Sequence, residues 1–274
     1  MRLRIAAGIA AAAIIVAVFA DRLVAPGPAD FLIEPMTGMV LVALRPGSLM
    51  MGSNEAESGR NDDEYLHRVT MTQLFYMGQH EVTQAEWARV MRSNPSRFSG
   101  CERCPVEQVD FIQVNEFLSR INAGNTAMGF RLPTEAEWEY ACRAGSDTPF
   151  STGAELTTAQ ANIDDRYPGA DADGGAAYEK TLPVGSFPPN KWGLYDMHGN
   201  VSEWTNDWYG EYMPRQENDP RGPDSGTKKA VRGGSWQAFT DSARCAMRNA
   251  RSPQEKTSSL GFRVVGEPRR PRRR

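Results

Sequence analysis

The sequence predicts a loop-rich fold of mixed strands and short helices held by aromatic anchors. Three observations predict it. Glycine and proline number 25 and 18 in 274 residues, so turns must recur. Six Trp and eight Tyr supply large anchors with polar tips. Short apolar runs of strand type alternate with capping-box helices, and no fixed-period repeat runs through them. The length suits one large domain or two small ones, and the pattern between the ends is continuous, which predicts a single domain. A formal net charge of −3 excludes a polyanion binder, so no nucleic-acid partner is expected.

The N-terminal element comes first. Arg2 and Arg4 precede an apolar run from Ile5 to Ala20, ended by Asp21 and Arg22. The run is short for a membrane span of about 20 residues. It suits a signal-peptide core cleaved after Val18-Phe19-Ala20, or a short anchor. Positive-inside logic exports the rest. Residues 1–24 are expected to be a signal peptide or membrane anchor, 25–36 a linker, 37–266 the folded body and 267–274 a basic disordered tail. The expected location is periplasmic or secreted, with membrane contact at the inner membrane if the first segment stays uncleaved.

Within the body, Met39–Leu44 reads as an apolar strand closed by Pro46-Gly47, and His67–Met71 with Leu74–Met77 as a strand pair. Thr83-Gln84-Ala85-Glu86 is a capping box, so a helix starts there, turns Trp87, Val90 and Met91 inward and ends before Pro95. Asp110 to Asn122 carries Phe111, Val114, Phe117, Leu118 and Ile121 at helical spacing, closed by Gly124. Thr134-Glu135-Ala136-Glu137 is a second capping box, with the helix stopping at Gly145. Residues 146–190 read as one long loop, which a metal ion or a disulfide must tie down.

An even cysteine count in an exported chain favours disulfides. Cys101-Glu102-Arg103-Cys104 fits a short loop clamp before Pro105, or a redox dithiol. A zinc site needs four ligands, and no second C-x-x-C or histidine pair lies nearby.

Five ordered motifs then carry a family resemblance. Arg131 to Ala141 reads RLPTEAEWEYA, Gly193 to Trp204 reads GLYDMHGNVSEW, and Arg232 to Trp236 reads RGGSW. Gly261-Phe262-Arg263 and the early Glu81-Val82-Thr83 with Trp87 complete the set. Together they resemble the formylglycine-generating, or sulfatase-modifying factor, family over roughly Met39 to Val265. The resemblance implies an α+β, irregular, loop-rich fold related to C-type lectins. It also implies a structural disulfide between Cys142 and Cys245. Closing a loop of that size stabilises by roughly 4 kcal/mol in the chain-entropy model.

Family members extract a hydrogen from a substrate cysteine with copper(I) held by two thiolates, which suit that soft ion. Those thiolates lie just past the GGSW turn, where this chain has Ala238 and a segment about three residues shorter. No copper site of that type is expected. The three histidines, His67, His80 and His198, are widely separated and read as structural.

Calcium is the cofactor the resemblance implies, in a structural role. One ligand set would be Asp196, the carbonyls of Gly199 and Val201, and Glu203. A second would use Asn162, the carbonyls of Ile163 and Tyr178, and a carboxylate whose expected place falls on Ala176, with Asp171 and Asp173 close by. Ser235, Trp236 and Arg248 would line the family's substrate groove. Without the thiolates, the resemblance implies an exported binding or accessory module of the cell envelope that holds a peptide, a glycan or an envelope protein. The alternative is an oxidoreductase with altered chemistry, as in relatives of siderophore maturation. A formylglycine-generating oxidase acting on sulfatases ranks last.

Overall fold

The computed structural model describes residues 31–164, 166 and 177–269. The expected leader 1–24 lies outside them, as do Asp171, Asp173, Ala176 and residues 270–274.

The described chain opens with strands β1 (Phe31–Ile33), β2 (Val40–Leu44), β3 (Gly47–Met51), β4 (His67–Met71) and β5 (Phe75–Gly78). Helices α1 (Gln84–Met91) and α2 (Phe111–Ala123), strand β6 (Met128–Arg131) and helix α3 (Glu135–Arg143) follow. The second half holds β7 (Ser202–Trp208), β8 (Glu217–Asn218), β9 (Lys229–Arg232), β10 (Asn249–Arg251), β11 (Leu260–Gly261) and β12 (Val265–Pro268), with a 3₁₀ turn at Thr240–Ala243. This is an α+β, irregular, single-domain fold. Its longest described helix has 13 residues.

Three sheets organise it. The largest runs β1-β2-β5-β12-β6, all antiparallel, and so joins the first strand to the last. A second runs β10-β9-β7-β11 and a third β3-β4-β8. The parallel pairs β7–β11 and β4–β8 are two residues long.

The helix starts form as their residues dictate. Thr83 caps α1 by accepting from the Glu86 amide, and the Glu86 carboxylate accepts from the Thr83 amide at 2.7 Å. Thr134 and Glu137 repeat this reciprocal pairing at α3. Asp110 and Gln113 form a third box that the sequence reading passed over. At the end of α3, Ala144 is already left-handed at φ 46°, one residue before the expected Gly145.

Aromatic packing closes the core. Trp87 stacks on Phe117 at 5.4 Å between ring centres, and Phe262 meets both edge-on. Trp138 and Trp204 are fully buried. Losing such a ring costs about 3–5 kcal/mol.

Two expected boundaries move. The linker 25–36 gives way at Phe31, because Phe31–Ile33 pairs antiparallel with Val40–Val42 as an edge strand. The tail expected from 267 does not begin there. Glu267 and Pro268 pair with Gly129 and Met128, and the Arg269 amide donates to the Ala127 carbonyl at 2.8 Å. Backbone pairing with β6 outweighs the basic composition there. Both cysteine pairs form disulfides, Cys101–Cys104 and Cys142–Cys245. Among the described residues no helix is long and apolar enough to cross a membrane.

Candidate functional site

The Gly-Gly-Ser-Trp turn follows β9. Gly233 and Gly234 sit at φ 98° and 71°, and an added Cβ would stand 3.0 Å from Trp138 and from Ala243 respectively. Only glycine meets both demands. The Gly233 carbonyl accepts from the Gly199 amide, and the Trp236 amide donates to the Asn200 carbonyl at 2.9 Å. The turn is thereby tied to the loop expected to hold metal. Ser235 is buried. Trp236 is half-buried, donates through Nε1 to the Ser258 carbonyl at 3.0 Å and meets Phe98 edge-on. Ser202, which stands where the family motif has Trp, donates to the Gly234 carbonyl at 2.8 Å.

Ala238 occupies the position where the resemblance calls for a thiolate. Its amide donates to the Ser235 carbonyl, and its carbonyl accepts from the Asp164 amide. All four cysteines of the chain are consumed by the two disulfides. No free thiol remains beside the turn.

Arg248 goes elsewhere. Its guanidinium clasps Glu135 through Nε and Nη2, at 2.8 and 2.9 Å, and covers the Tyr212 ring at 3.7 Å. The structure therefore joins Ser235 and Trp236 on one turn and places Arg248 in a buried ion pair beside a separate cavity. Arg232 bonds Glu139 and Glu135, and Arg244 bonds Glu64 and Glu57. These pairs tie α3 to β9 and the 3₁₀ segment to the loop after β3.

The two loops expected to bind metal lie side by side. Asn162 bridges Gly199, the Asn200 amide donates to the Asn162 carbonyl, and Asn162 Nδ2 donates to Asn200 Oδ1 at 3.1 Å. A Cβ on Gly199 would stand 2.3 Å from the Asn162 carbonyl oxygen, so the approach requires glycine. The Glu203 carboxylate accepts from Arg263 Nε and Nη2, each at 2.7 Å, and from Trp138 Nε1 at 2.8 Å. Asp196 accepts from the Gly185 amide at 2.7 Å.

A third carboxylate joins them. Glu81 is fully buried, takes one bond from Asn200 Nδ2, and leaves Oε2 without a partner. Burial and the Asp196 charge push its carboxyl well above the usual carboxylate range, and burial also raises Asp196. Three carboxylates thus face one guanidinium, Arg263, an excess of two negative charges when all are ionised. Asn162 Oδ1 is also buried and unpartnered. Hard oxygen donors and surplus negative charge are the chemistry a divalent cation such as calcium takes, but the Glu81, Asp196 and Glu203 oxygens do not all converge within 4.8 Å of one another in this structure. In the second set Tyr178 is exposed, and the carboxylate position lies outside the described residues.

Glu81 was missed as a site residue. Its only sequence signal was membership of the Glu-Val-Thr element, since a carboxylate between a strand and a helix has no periodicity to betray it. His198 is buried and held in one tautomer: Nδ1 donates to the Ala243 carbonyl, so Nε2 accepts from the Ser151 amide. Desolvation holds its pKa down at about 4. Its Nε2 lies 3.9 Å from Cys142 Sγ.

Comparisons with known proteins agree with the motif reading. A family model described as the sulfatase-modifying factor enzyme 1-like domain matches residues 31–268. The chain is 40% identical over 151 residues to the formylglycine-generating enzyme of Mus musculus, covering 52% of this chain and 40% of that one. It is 30% identical over 255 residues to serine/threonine-protein kinase pkn1 of Chlamydia caviae, covering 82% of this chain and 37% of that one. It therefore spans about two fifths of the length of these curated relatives. The solved structure of PvdO from Pseudomonas aeruginosa superposes with a TM-score of 0.75 at 29% identity, covering 89% of this chain and all of that one.

Proposed function

The chain belongs to the sulfatase-modifying factor enzyme 1-like domain family, and from that premise we propose that it serves as a binding or accessory module of the cell envelope rather than as a generator of formylglycine. One observation carries the reading. Ala238 stands where the family places a copper thiolate, and every cysteine is already disulfide-bonded. What remains around the Gly-Gly-Ser-Trp turn is a half-buried Trp236 against Phe98, a surface that suits a peptide, a glycan or an envelope protein. Two disulfides suit an oxidising compartment, and the apolar N-terminal run suits export to a periplasmic or secreted location or retention at the inner membrane.

Calcium is part of the proposal. Glu81, Asp196, Glu203 and the carbonyls of Gly199 and Val201 would hold it, with Asn162 and the Ile163 carbonyl beside them. Bound there, the ion supplies charge neutralisation. The chain's own residues do the positioning: Arg263 holds Glu203, and Asn200 links Glu81 to the Asn162 loop.

The test is direct. The exported chain is incubated in air with Cu(I), a thiol reductant and a cysteine-containing sulfatase peptide. The expected result is no formylglycine, no oxygen consumption above that of the protein-free mixture, and no stoichiometric copper uptake. One tightly held Cu(I) with peptide oxidation would overturn the reading. A second reading, an oxidoreductase with altered chemistry, is favoured by retention of the whole scaffold, since the solved PvdO chain is covered in full. Oxygen consumption without copper uptake would select it.

A further inference from the structure

A cavity of about 310 Å³ lies between the start of α3, strands β3 and β4, and segment 209–223. No cysteine and no residue of the Gly-Gly-Ser-Trp turn lines it, so it stands apart from the reading above. Its charges pair internally. Glu135 holds Arg248 at 2.8 Å, and Glu217 lies 3.5 Å from Arg215. Of the lining groups this leaves the carboxylates Asp207 and Glu211 against the exposed Arg221.

Asp207 is 3% exposed. Its Oδ2 accepts from the Glu135 amide at 2.9 Å, which ties it to the first turn of α3. Its Oδ1 is buried without a hydrogen-bond partner. Buried polar atoms in native folds find partners, and a carboxylate oxygen left without a donor is suited to one brought from outside. The rest of the wall is apolar or aromatic, with Met51, Met213, Trp208 and Tyr212 contributing.

We propose that this cavity binds an alkylammonium group, its N–H donors on Asp207 and its aliphatic stem along Met51 and Met213. A primary ammonium is compact, carries three donors and cancels one buried negative charge, whereas a neutral hydroxyl would leave that charge uncompensated. The apolar wall shelters the methylene stem while the charged head is paired. Burial, with Glu135 and Glu137 of α3 nearby and Lys229 of β9 opposing, holds the Asp207 carboxyl up at about 7, so an arriving ammonium takes the place of the proton. A peptide lysine and a free diamine share this chemistry.

Calorimetric titration of the full chain at about pH 8 tests it with three probes: acetyl-lysine methylamide, 1,5-diaminopentane and acetyl-norleucine methylamide. Saturable binding is expected for an amine, about tenfold or more weaker for the uncharged norleucine compound and for Asp207→Asn. Asp207→Asn keeps an acceptor for the Glu135 amide, and its melting curve reports whether it folds. Arg221→Ala, at the exposed mouth, removes a repelling charge and is expected to tighten amine binding severalfold. Binding of acetyl-lysine methylamide alone assigns the site to a peptide side chain; binding of diaminopentane alone assigns it to a free amine. Failure of both amines, equal binding of the norleucine compound, undiminished binding by folded Asp207→Asn, or unchanged affinity in Arg221→Ala would each overturn the proposal.

Discussion

Glu203 and Arg263 meet end to end in the interior, Nε on Oε2 and Nη2 on Oε1, each at 2.7 Å, and neither side chain is more than 1% exposed. The pair joins the start of β7 to the segment between β11 and β12. Trp138 of α3 donates to the same carboxylate, so three parts of the chain converge on one group. A carboxylate offers about four lone-pair sites. Three are used here, which leaves one on Oε1.

Breaking this pair from one side strands a buried charge. Arg263→Met is expected to lower unfolding stability by about 3–5 kcal/mol, because Glu203 then keeps only the indole donor. Urea unfolding followed by tryptophan fluorescence measures it. A loss below about 1 kcal/mol would show that water or another cation replaces the guanidinium without cost.

Glu81 decides the cation question more cleanly than Glu203, because it is not part of the Arg263 clasp. Calcium binding to the native state alone adds stability that grows with free ion concentration. A chelator is therefore expected to lower the melting temperature of the intact protein. Glu81→Gln is expected to lose that sensitivity. In the presence of chelator it is expected to match or exceed the intact protein, since one of three crowded carboxylates is gone. A melting temperature of the intact protein that ignores both chelator and added calcium would count against the site.

The two disulfides differ in the loops they close, with sequence separations of 103 and 3. In the chain-entropy model the long loop contributes about 4–5 kcal/mol and the short one about 2 kcal/mol. Replacing Cys142 and Cys245 by serine is thus expected to cost at least twice what replacing Cys101 and Cys104 costs, measured by chemical denaturation of both double variants. Equal losses would mean that native packing around His198, and not chain entropy, sets the contribution.

Much of this fold was legible because the strongest local signals are the ones it uses. Thr83 and Thr134 announced two helix starts through a three-residue rule, and the apolar spacing from Phe111 to Ile121 announced α2. Phe31–Ile33 and Glu267–Pro268 take their order from partner strands, β2 at seven to eleven residues and β6 at over one hundred, and neither segment's own composition announces that pairing. Strand β9 was passed over for a similar reason: Lys229 and Arg232 look exposed until Asn206, Glu139 and the Trp208 ring are brought to them by the fold. The site followed the same division. Asp196, Gly199, Val201 and Glu203 could be named from one contiguous motif, whereas Glu81 and Asp207 become candidates only when burial leaves an oxygen of each without a partner.

Asp207 also carries a pH dependence with a definite sign. Its folded carboxyl keeps a proton up to about 7, against an unperturbed value of 3.8, because burial disfavours the charge and Glu135 and Glu137 add to that effect. Between those values the folded state binds more protons than the unfolded chain, so this group's contribution to stability falls as pH rises through the window and is fully lost above about 7. The shift corresponds to about 4 kcal/mol, an upper figure once local relaxation is allowed. Asp207→Asn cannot titrate, yet keeps an acceptor for the Glu135 amide. The stability difference between Asp207→Asn and the intact protein is therefore expected to move in favour of the variant by about 2–4 kcal/mol from pH 4 to pH 8. Urea titrations at a series of pH values measure that difference while the other titrating groups cancel. A difference that stays flat across the window would place the Asp207 carboxyl near its ordinary value and require a donor for Oδ1 already within the fold.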